Sequence, residues 1–304
     1  QLTALVARLR TEGGTTSTAA CVQPGDATAL PRLWFVHDLQ GSAYRIRHLA
    51  RALGPEQPVW SFESPLLRGE PNTDPDLEAF AARYVRDLLV AQPDGPYWVA
   101  GYSFGGICAY EIARQLVAGG HEVAFCGVVD VGPGYRGPGW GDAHPPFRPW
   151  FGVAKPPPPG TPWRDVAQHY RSMFQASPKG TARHLMVRSG LAERIDPWRF
   201  RDDLRRHGRV RPEWRLWYAW EEHWKLASQH WDRANRYPGA VDLFWADDTA
   251  SADASLGWAP LVGHLDIHRF AGDHEGILEP RGAPALGTAL RAAIDRRRTT
   301  DPVP

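Results

Sequence analysis

The sequence predicts an α/β fold, a mostly parallel sheet flanked by helices and interrupted late in the chain by a long helical insertion. Three observations carry that expectation. Short apolar runs alternate with helix-period segments between Arg32 and Asp130, the order produced by parallel strands joined through crossover helices. The alternation stops after Asp130 and resumes at Val241. Between them, about 133–238, lie a proline cluster (Lys155-Pro156-Pro157-Pro158-Pro159-Gly160) and helical pieces, but little strand pattern.

Taken in order, residues 1–11 read as a short amphipathic helix, with Leu2, Leu5, Val6 and Leu9 at helical spacing. Residues 13–31, rich in Gly, Thr, Ala and Pro, read as a linker. An orphan helix followed by a linker, in a chain starting at Gln1, implies a piece cut from a longer polypeptide or a processed chain. Residues 32–37 (R-L-W-F-V-H) form the first expected strand, and 44–53 a helix after the Gly41-Ser42 turn. A strand at 58–63 and a helix at 77–92 follow, the helix with Leu77, Phe80, Tyr84, Leu88 and Leu89 near one face. Next come a strand at 97–102, a helix at 104–118 and a strand at 122–130. After the insertion, 241–246 and 264–270 read as strands, and 285–298, just past Pro284, as a closing helix.

Composition narrows the function classes. A chain of 304 residues, 43% hydrophobic and 23% charged, buries a full core without disulfide or metal staples. Lys and Arg total 35 against 34 Asp and Glu, so nothing recommends a nucleic-acid groove or a membrane surface. Cys21, Cys108 and Cys126 are odd in number and lack metal-ligand spacing, which argues against a disulfide framework and a zinc site. With no membrane-spanning stretch and no signal segment, the expected compartment is the reducing cytoplasm.

Gly101-Tyr102-Ser103-Phe104-Gly105-Gly106 matches G-x-S-x-G where an expected strand meets an expected helix. The backbone must turn sharply there, so small residues flank the serine and its hydroxyl is pushed above the sheet at the head of a helix. Serine is a poor nucleophile without a base in hydrogen-bond reach, itself oriented by a third group. Of the 12 histidines, His274 alone follows the last strand in a short loop, Ala271-Gly272-Asp273-His274-Glu275-Gly276. His264 and His268 lie within a strand, His223 and His230 on a helix face, and Asp273 reads as a turn residue. Spacing leaves the acid open between Asp130, after the fourth strand, and Asp247 or Asp248, after the fifth. An oxyanion hole needs two backbone N–H donors. Phe104, following the serine, supplies one, and Leu39 in the loop His37-Asp38-Leu39-Gln40-Gly41 the other. His37 and Asp38 are expected to shape that loop rather than to react.

The run L-W-F-V-H-D-L-Q-G-S-A-Y-R-I-R-H-L-A-R-A-L-G resembles the opening strand, loop and helix of type I thioesterase domains, which end nonribosomal peptide and polyketide synthases. G-P-Y-W-V-A-G-Y-S-F-G-G-I-C-A-Y-E-I-A-R-Q-L is similar to their nucleophile strand and helix, V-V-D to their acid, and G-D-H-E-G-I-L to their histidine loop. The resemblance covers roughly 31–132 and 238–298 and implies an α/β-hydrolase fold. It also implies a triad of Ser103, Asp130 and His274, with Leu39 and Phe104 as the oxyanion pair. Residues 1–31 would then be the tail of an upstream carrier domain plus linker, and 32–304 the thioesterase domain, with its lid at about 133–238. The implied partner is that carrier domain. The substrate arrives on its phosphopantetheine arm as an acyl, peptidyl or polyketide thioester, without a bound cofactor or metal. Release from Ser103 would be by hydrolysis or macrocyclisation. A stand-alone editing thioesterase or carboxylesterase would share the triad without needing the upstream helix and linker. A catalytically inactive binding module would not need all three residues. The chain departs from the family's more usual H-P-x-G-G: Asp38 replaces the Pro and Gln40 the first of the two glycines.

Nine of the 14 tryptophans fall in 133–238. Trp217, Trp224 and Trp231 recur every seven residues with Trp220 between them, forming one helical stripe. The stripe either docks its helix on the core or, at Trp217, Trp220 and Trp224, lines the acyl channel as part of the lid.

Overall fold

The computed structural model describes residues 17–133, 162–176, 191–230, 236–249, 251, 253–274 and 276–300. Its strands are β1 (Ala19–Gln23), β2 (Leu33–Val36), β3 (Val59–Phe62), β4 (Tyr97–Tyr102), β5 (Val123–Val129), β6 (Tyr237–Ala246) and β7 (Val262–Phe270). Its helices are α1 (Arg47–Ala52), α2 (Leu77–Ala91), α3 (Phe104–Ala118), α4 (Trp163–Ala176), α5 (Leu191–His207), α6 (Arg215–His230) and α7 (Ala283–Thr300). The strands form a seven-stranded sheet in the order β1-β3-β2-β4-β5-β6-β7. Only the β1–β3 pair is antiparallel. This is the mostly parallel, helix-flanked α/β sheet that the alternating pattern predicts.

β1 was not legible in that pattern and corrects the reading of 13–31 as linker throughout. Ala19 pairs with Phe62 and Cys21 with Trp60 at the edge of the sheet. An edge strand buries only one side and draws its stability from backbone pairing, so it needs no apolar run. Local polar contacts add to it. The Gln23 amide donates to the carbonyl oxygens of Ala50, Gly54 and Gln57 at 3.1, 2.8 and 2.9 Å, and the Thr18 amide to Asp87 at 2.6 Å. The amphipathic segment at 1–11 lies outside the described residues, as do the proline cluster at 155–160 and Trp231.

Each sheet face is covered because neighbouring residues of a strand point to opposite sides. Leu33 and Phe35 of β2 join Leu49, Leu286, Leu290 and Ile294 in the core beneath α1 and α7. Trp34 stacks on Phe62 at 5.1 Å, and Phe62 on Tyr84 of α2 at 4.4 Å. Helix α2 starts where the Asp76 side chain accepts the Ala79 N–H, and it buries Leu77, Phe80, Ala81, Tyr84 and Leu88. Taking a ring of this size out of water is worth roughly 2–3 kcal/mol.

The chain divides into two compact units, Gln1–Ala143 with Arg211–Pro304, and His144–Val210. The second contains α4 and α5. On α5, Asp202 accepts from Arg205 and Arg206 one turn ahead, at 2.7 and 2.9 Å. Of the insertion expected at 133–238, the part from Arg211 onward therefore belongs to the first unit, where α6 packs on α2, α3 and the short turn Pro65–Arg68.

Candidate active site

β4 ends at Tyr102 and α3 begins at Phe104, leaving Ser103 alone at the turn with φ 55 and ψ −124. That conformation suits glycine and costs a side-chain-bearing residue about 1–3 kcal/mol. It is held by the Ser103 N–H donating to the Val129 carbonyl at 3.0 Å and the Gly106 N–H to the Ser103 carbonyl at 2.8 Å. The two motif glycines are sterically required. A Cβ on Gly101 would lie 1.9 Å from the Gly105 oxygen, and one on Gly105 would lie 2.3 Å from that of Val36. Gly105→Ala is therefore expected to destabilise the domain by about 3 kcal/mol, because both colliding partners are backbone. A lowered urea midpoint checks this, and an unchanged midpoint would contradict the packing described.

Asp130 follows β5, is fully buried, and adopts φ 51. Its Oδ1 accepts the Ala246 N–H at 2.9 Å, while its Oδ2 accepts the Thr249 hydroxyl at 2.8 Å and faces His274 Nδ1 at 2.8 Å. Tyr102, the residue before Ser103, lays its ring 5.0 Å from the His274 imidazole and donates its hydroxyl to the His274 carbonyl. The ends of β4 and β5 and the loop after β7 thus meet at the carboxyl edge of the sheet, where open α/β sheets bind ligands. Asp247 instead pairs with Arg269 at 3.2 Å in an exposed position. Of the other candidates, His264 faces Asp266 and His268 faces Asp242. Asp273 accepts the Gly276 N–H at 2.8 Å, as a turn residue does.

Leu39 is buried in the loop after β2. The Asp38 that stands in place of the usual Pro shapes this loop: its Oδ1 accepts the Gln40 N–H at 2.9 Å and its Oδ2 pairs with Arg45 at 3.2 Å. Arg45 continues to Glu279 at 2.9 Å, tying the loop to the segment after His274. His37 Nδ1 lies 2.6 Å from the Asp38 carbonyl and its Nε2 2.6 Å from the Tyr84 hydroxyl. A carbonyl only accepts, so Nδ1 carries the proton and Tyr84 donates.

Sequence reasoning placed His223 on a helix face and missed its environment. It is completely buried on α6, with Nδ1 2.9 Å from the Leu39 carbonyl and Nε2 2.9 Å from the Ser64 hydroxyl. Its only sequence signal was its place among the buried positions Tyr218, Ala219, Leu226 and Ala227 of one helix. Trp217, Trp220 and Trp224 are half-buried on α6, with Trp220 and Trp224 stacked at 5.7 Å, so the docking face is built mainly by the smaller residues.

Burial lowers His37 to about 4, and burial together with the nearby His37 holds His223 well below its ordinary value. Unfolded, both imidazoles titrate near 6.5, so between there and about 4 the unfolded chain binds more protons than the native one. The contribution of His37 to stability is complete above 6.5 and is lost as pH falls toward 4, and that of His223 has the same sign. Each such proton adds a slope of about 1.4 kcal/mol per pH unit. Urea titrations across that window are expected to show stability rising with pH, and a flat profile would contradict the burial of both rings.

Among the described residues no group of three or more His, Cys, Asp or Glu is placed to hold a metal ion, and no helix is long and apolar enough to cross a membrane.

Residues 31–146 match the family model for the thioesterase domain. The chain is 26% identical over 270 residues to enterobactin synthase component F of Escherichia coli K12, covering 88% of this chain and 18% of that protein. It is 27% identical over 287 residues to the non-reducing polyketide synthase atnG of an Arthrinium species, covering 90% of this chain and 13% of that one. The chain thus spans under a fifth of either relative. In fold it is similar to the NocB thioesterase domain from the nocardicin cluster, with a TM-score of 0.60 at 20% identity, over 91% of this chain and 99% of that one. The matched motifs, the parallel sheet and the Ser103 turn point the same way: residues 31–146 carry the thioesterase-domain match, the chain is similar in sequence to peptide and polyketide synthases, and its fold is that of the NocB thioesterase domain.

Proposed function

We propose that the chain releases an acyl, peptidyl or polyketide chain from a phosphopantetheine thioester by way of an ester on Ser103. The observation that carries the reading is the Asp130–His274 hydrogen bond at 2.8 Å, at the same edge of the sheet as the Ser103 turn. Asp130 keeps the proton of His274 on Nδ1, so Nε2 is free to take the Ser103 hydroxyl proton as Oγ attacks the thioester carbonyl. Negative charge develops on the carbonyl oxygen, and the N–H groups of Leu39 and Phe104 are the donors assigned to it. Collapse breaks the C–S bond, and His274 returns its proton to the departing thiolate. In the second half, His274 deprotonates water or a hydroxyl or amine of the bound chain as it attacks the ester carbonyl; collapse breaks the bond to Ser103 Oγ, His274 returns the proton to that oxygen, and a free acid or a ring leaves. Intramolecular attack competes with water because a well-oriented nucleophile reaches effective molarities of about 10⁵–10⁸ M.

The thioester is supplied by a carrier domain in the same polypeptide. The two synthase relatives, both several times longer than this chain, support that partner. Trp217, Trp220 and Trp224 offer an apolar wall for the acyl chain, and the buried Trp220 indole N–H has no hydrogen-bond partner among the described residues. Intact mass after mixing the protein with simple acyl thioesters of several chain lengths tests the reading. An acyl adduct on wild type and none on Ser103→Ala is expected. Folded wild type that gains no adduct and turns over no thioester would overturn it.

A further inference from the structure

We propose that His223 is a positioning residue for the oxyanion loop, holding the Leu39 backbone in register with Phe104. The inference rests on the function proposed above. One imidazole touches the residues of both assigned donors. It hydrogen-bonds the Leu39 carbonyl through Nδ1 at 2.9 Å, and it stacks on the Phe104 ring at 4.5 Å between centroids and 29° between planes. These partners lie far from it in sequence, Leu39 by 184 positions, so α6 joins two otherwise separate pieces of the site.

Planarity of the peptide unit explains how a contact to a carbonyl orients an N–H. The Leu39 N–H shares a plane with the Asp38 carbonyl and points away from it. That carbonyl is held by His37 Nδ1 at 2.6 Å and by the Gly41 N–H at 3.0 Å. The next plane carries the Leu39 carbonyl, which His223 holds. With both planes fixed, the two backbone dihedrals of Leu39 have no freedom, and its N–H keeps one direction through the reaction. Gly41 makes room for the imidazole: it sits at φ 83, and a Cβ there would lie 3.0 Å from His223 Cε1 and 2.8 Å from Ser64 Cβ. Ser64 completes the arrangement, its hydroxyl at His223 Nε2 and its N–H on the Gly41 carbonyl at 2.8 Å. The tautomer is therefore dictated: Nδ1–H donates to Leu39, and Nε2 accepts from Ser64.

Two substitutions separate positioning from packing. His223→Asn places an amide where Nδ1 was and can still donate to Leu39. His223→Gln places its amide near Nε2 and reaches Ser64 but not Leu39. With the octanoyl thioester of N-acetylcysteamine, His223→Gln is expected to lower kcat about 100-fold with KM little changed, the cost of a misplacement near 1 Å. Affinity for an alkyl boronic acid that mimics the tetrahedral state should fall in proportion, while affinity for the matching carboxylic acid should not. His223→Asn should restore most of the loss. Equal impairment of both variants in step with lost thermal stability would overturn the proposal, as would a folded His223→Gln with wild-type kcat. Should neither variant fold, nitrogen NMR of the wild-type imidazole decides: the Nδ1–H tautomer is expected, and Nε2–H would overturn it. Wild type that forms no acyl-enzyme sinks the proposed function itself. Normal acylation by wild type with an indifferent His223→Gln sinks only this inference.

Discussion

Asp130→Asn is expected to leave the domain folded and to lower acyl turnover by about 10⁴-fold. The substituted amide can keep its oxygen on the Ala246 N–H, which Oδ1 accepts at 2.9 Å, so the strand contact survives. The other end then presents an NH₂ to His274 and Thr249, where the native Oδ2 accepts. Facing a donor, His274 Nδ1 becomes an acceptor and the imidazole proton moves to Nε2. A ring protonated there cannot take the serine proton. Single-turnover acylation, with circular dichroism as the check on folding, measures the effect. Asp247→Asn is the informative control. Its carboxylate faces Arg269 in solvent, where an ion pair contributes little, so a change of less than about 2-fold is expected. A crippled Asp247→Asn beside a mild Asp130→Asn would reverse the assignment of the acid.

Ser103→Ala is expected to abolish the covalent acyl adduct and to reduce turnover by about 10⁶-fold, since no other atom takes the place of Oγ. Stability separates this variant from a second one. Alanine inherits the strained φ 55, ψ −124 of the turn, whereas glycine adopts it freely. Relief of about 1–3 kcal/mol outweighs the roughly 1 kcal/mol of extra backbone entropy that glycine loses on folding. Ser103→Gly should therefore melt at or above Ser103→Ala, though both are expected to be inactive. The opposite order would show that the turn stores no strain, and the hydroxyl would owe its position at the sheet edge to something other than a forced backbone.

The departure from H-P-x-G-G has a physical account in the same region. Proline would stiffen the loop through its ring, whereas Asp38 does so through its carboxylate, which holds the Gln40 N–H and Arg45. Because Arg45 also reaches Glu279, the loop after β2 and the segment after His274 are connected through one guanidinium.

The sequence alone determined the strand–turn–helix around Ser103. The ranges 97–102 and 104–118 read from the pattern are those of β4 and α3, because Gly101, Gly105 and the helical period are local constraints that each residue carries with it. Chain order and its loop likewise singled out His274 as the candidate base. The candidate acid was not singled out in this way: Asp130 and Asp247 both follow strands, spacing does not separate them, and only the resemblance to a family favoured Asp130. The tertiary structure decided that Asp130 meets His274 while Asp247 turns to Arg269. It also brought β1 into the sheet through backbone pairing that no side-chain pattern announces. It placed His223 against a carbonyl 184 positions away and a serine 159 away. Propensity and steric demand act over a few residues and can be read along the chain. The partners of a buried imidazole or carboxylate are set by which distant segments the completed fold presses together.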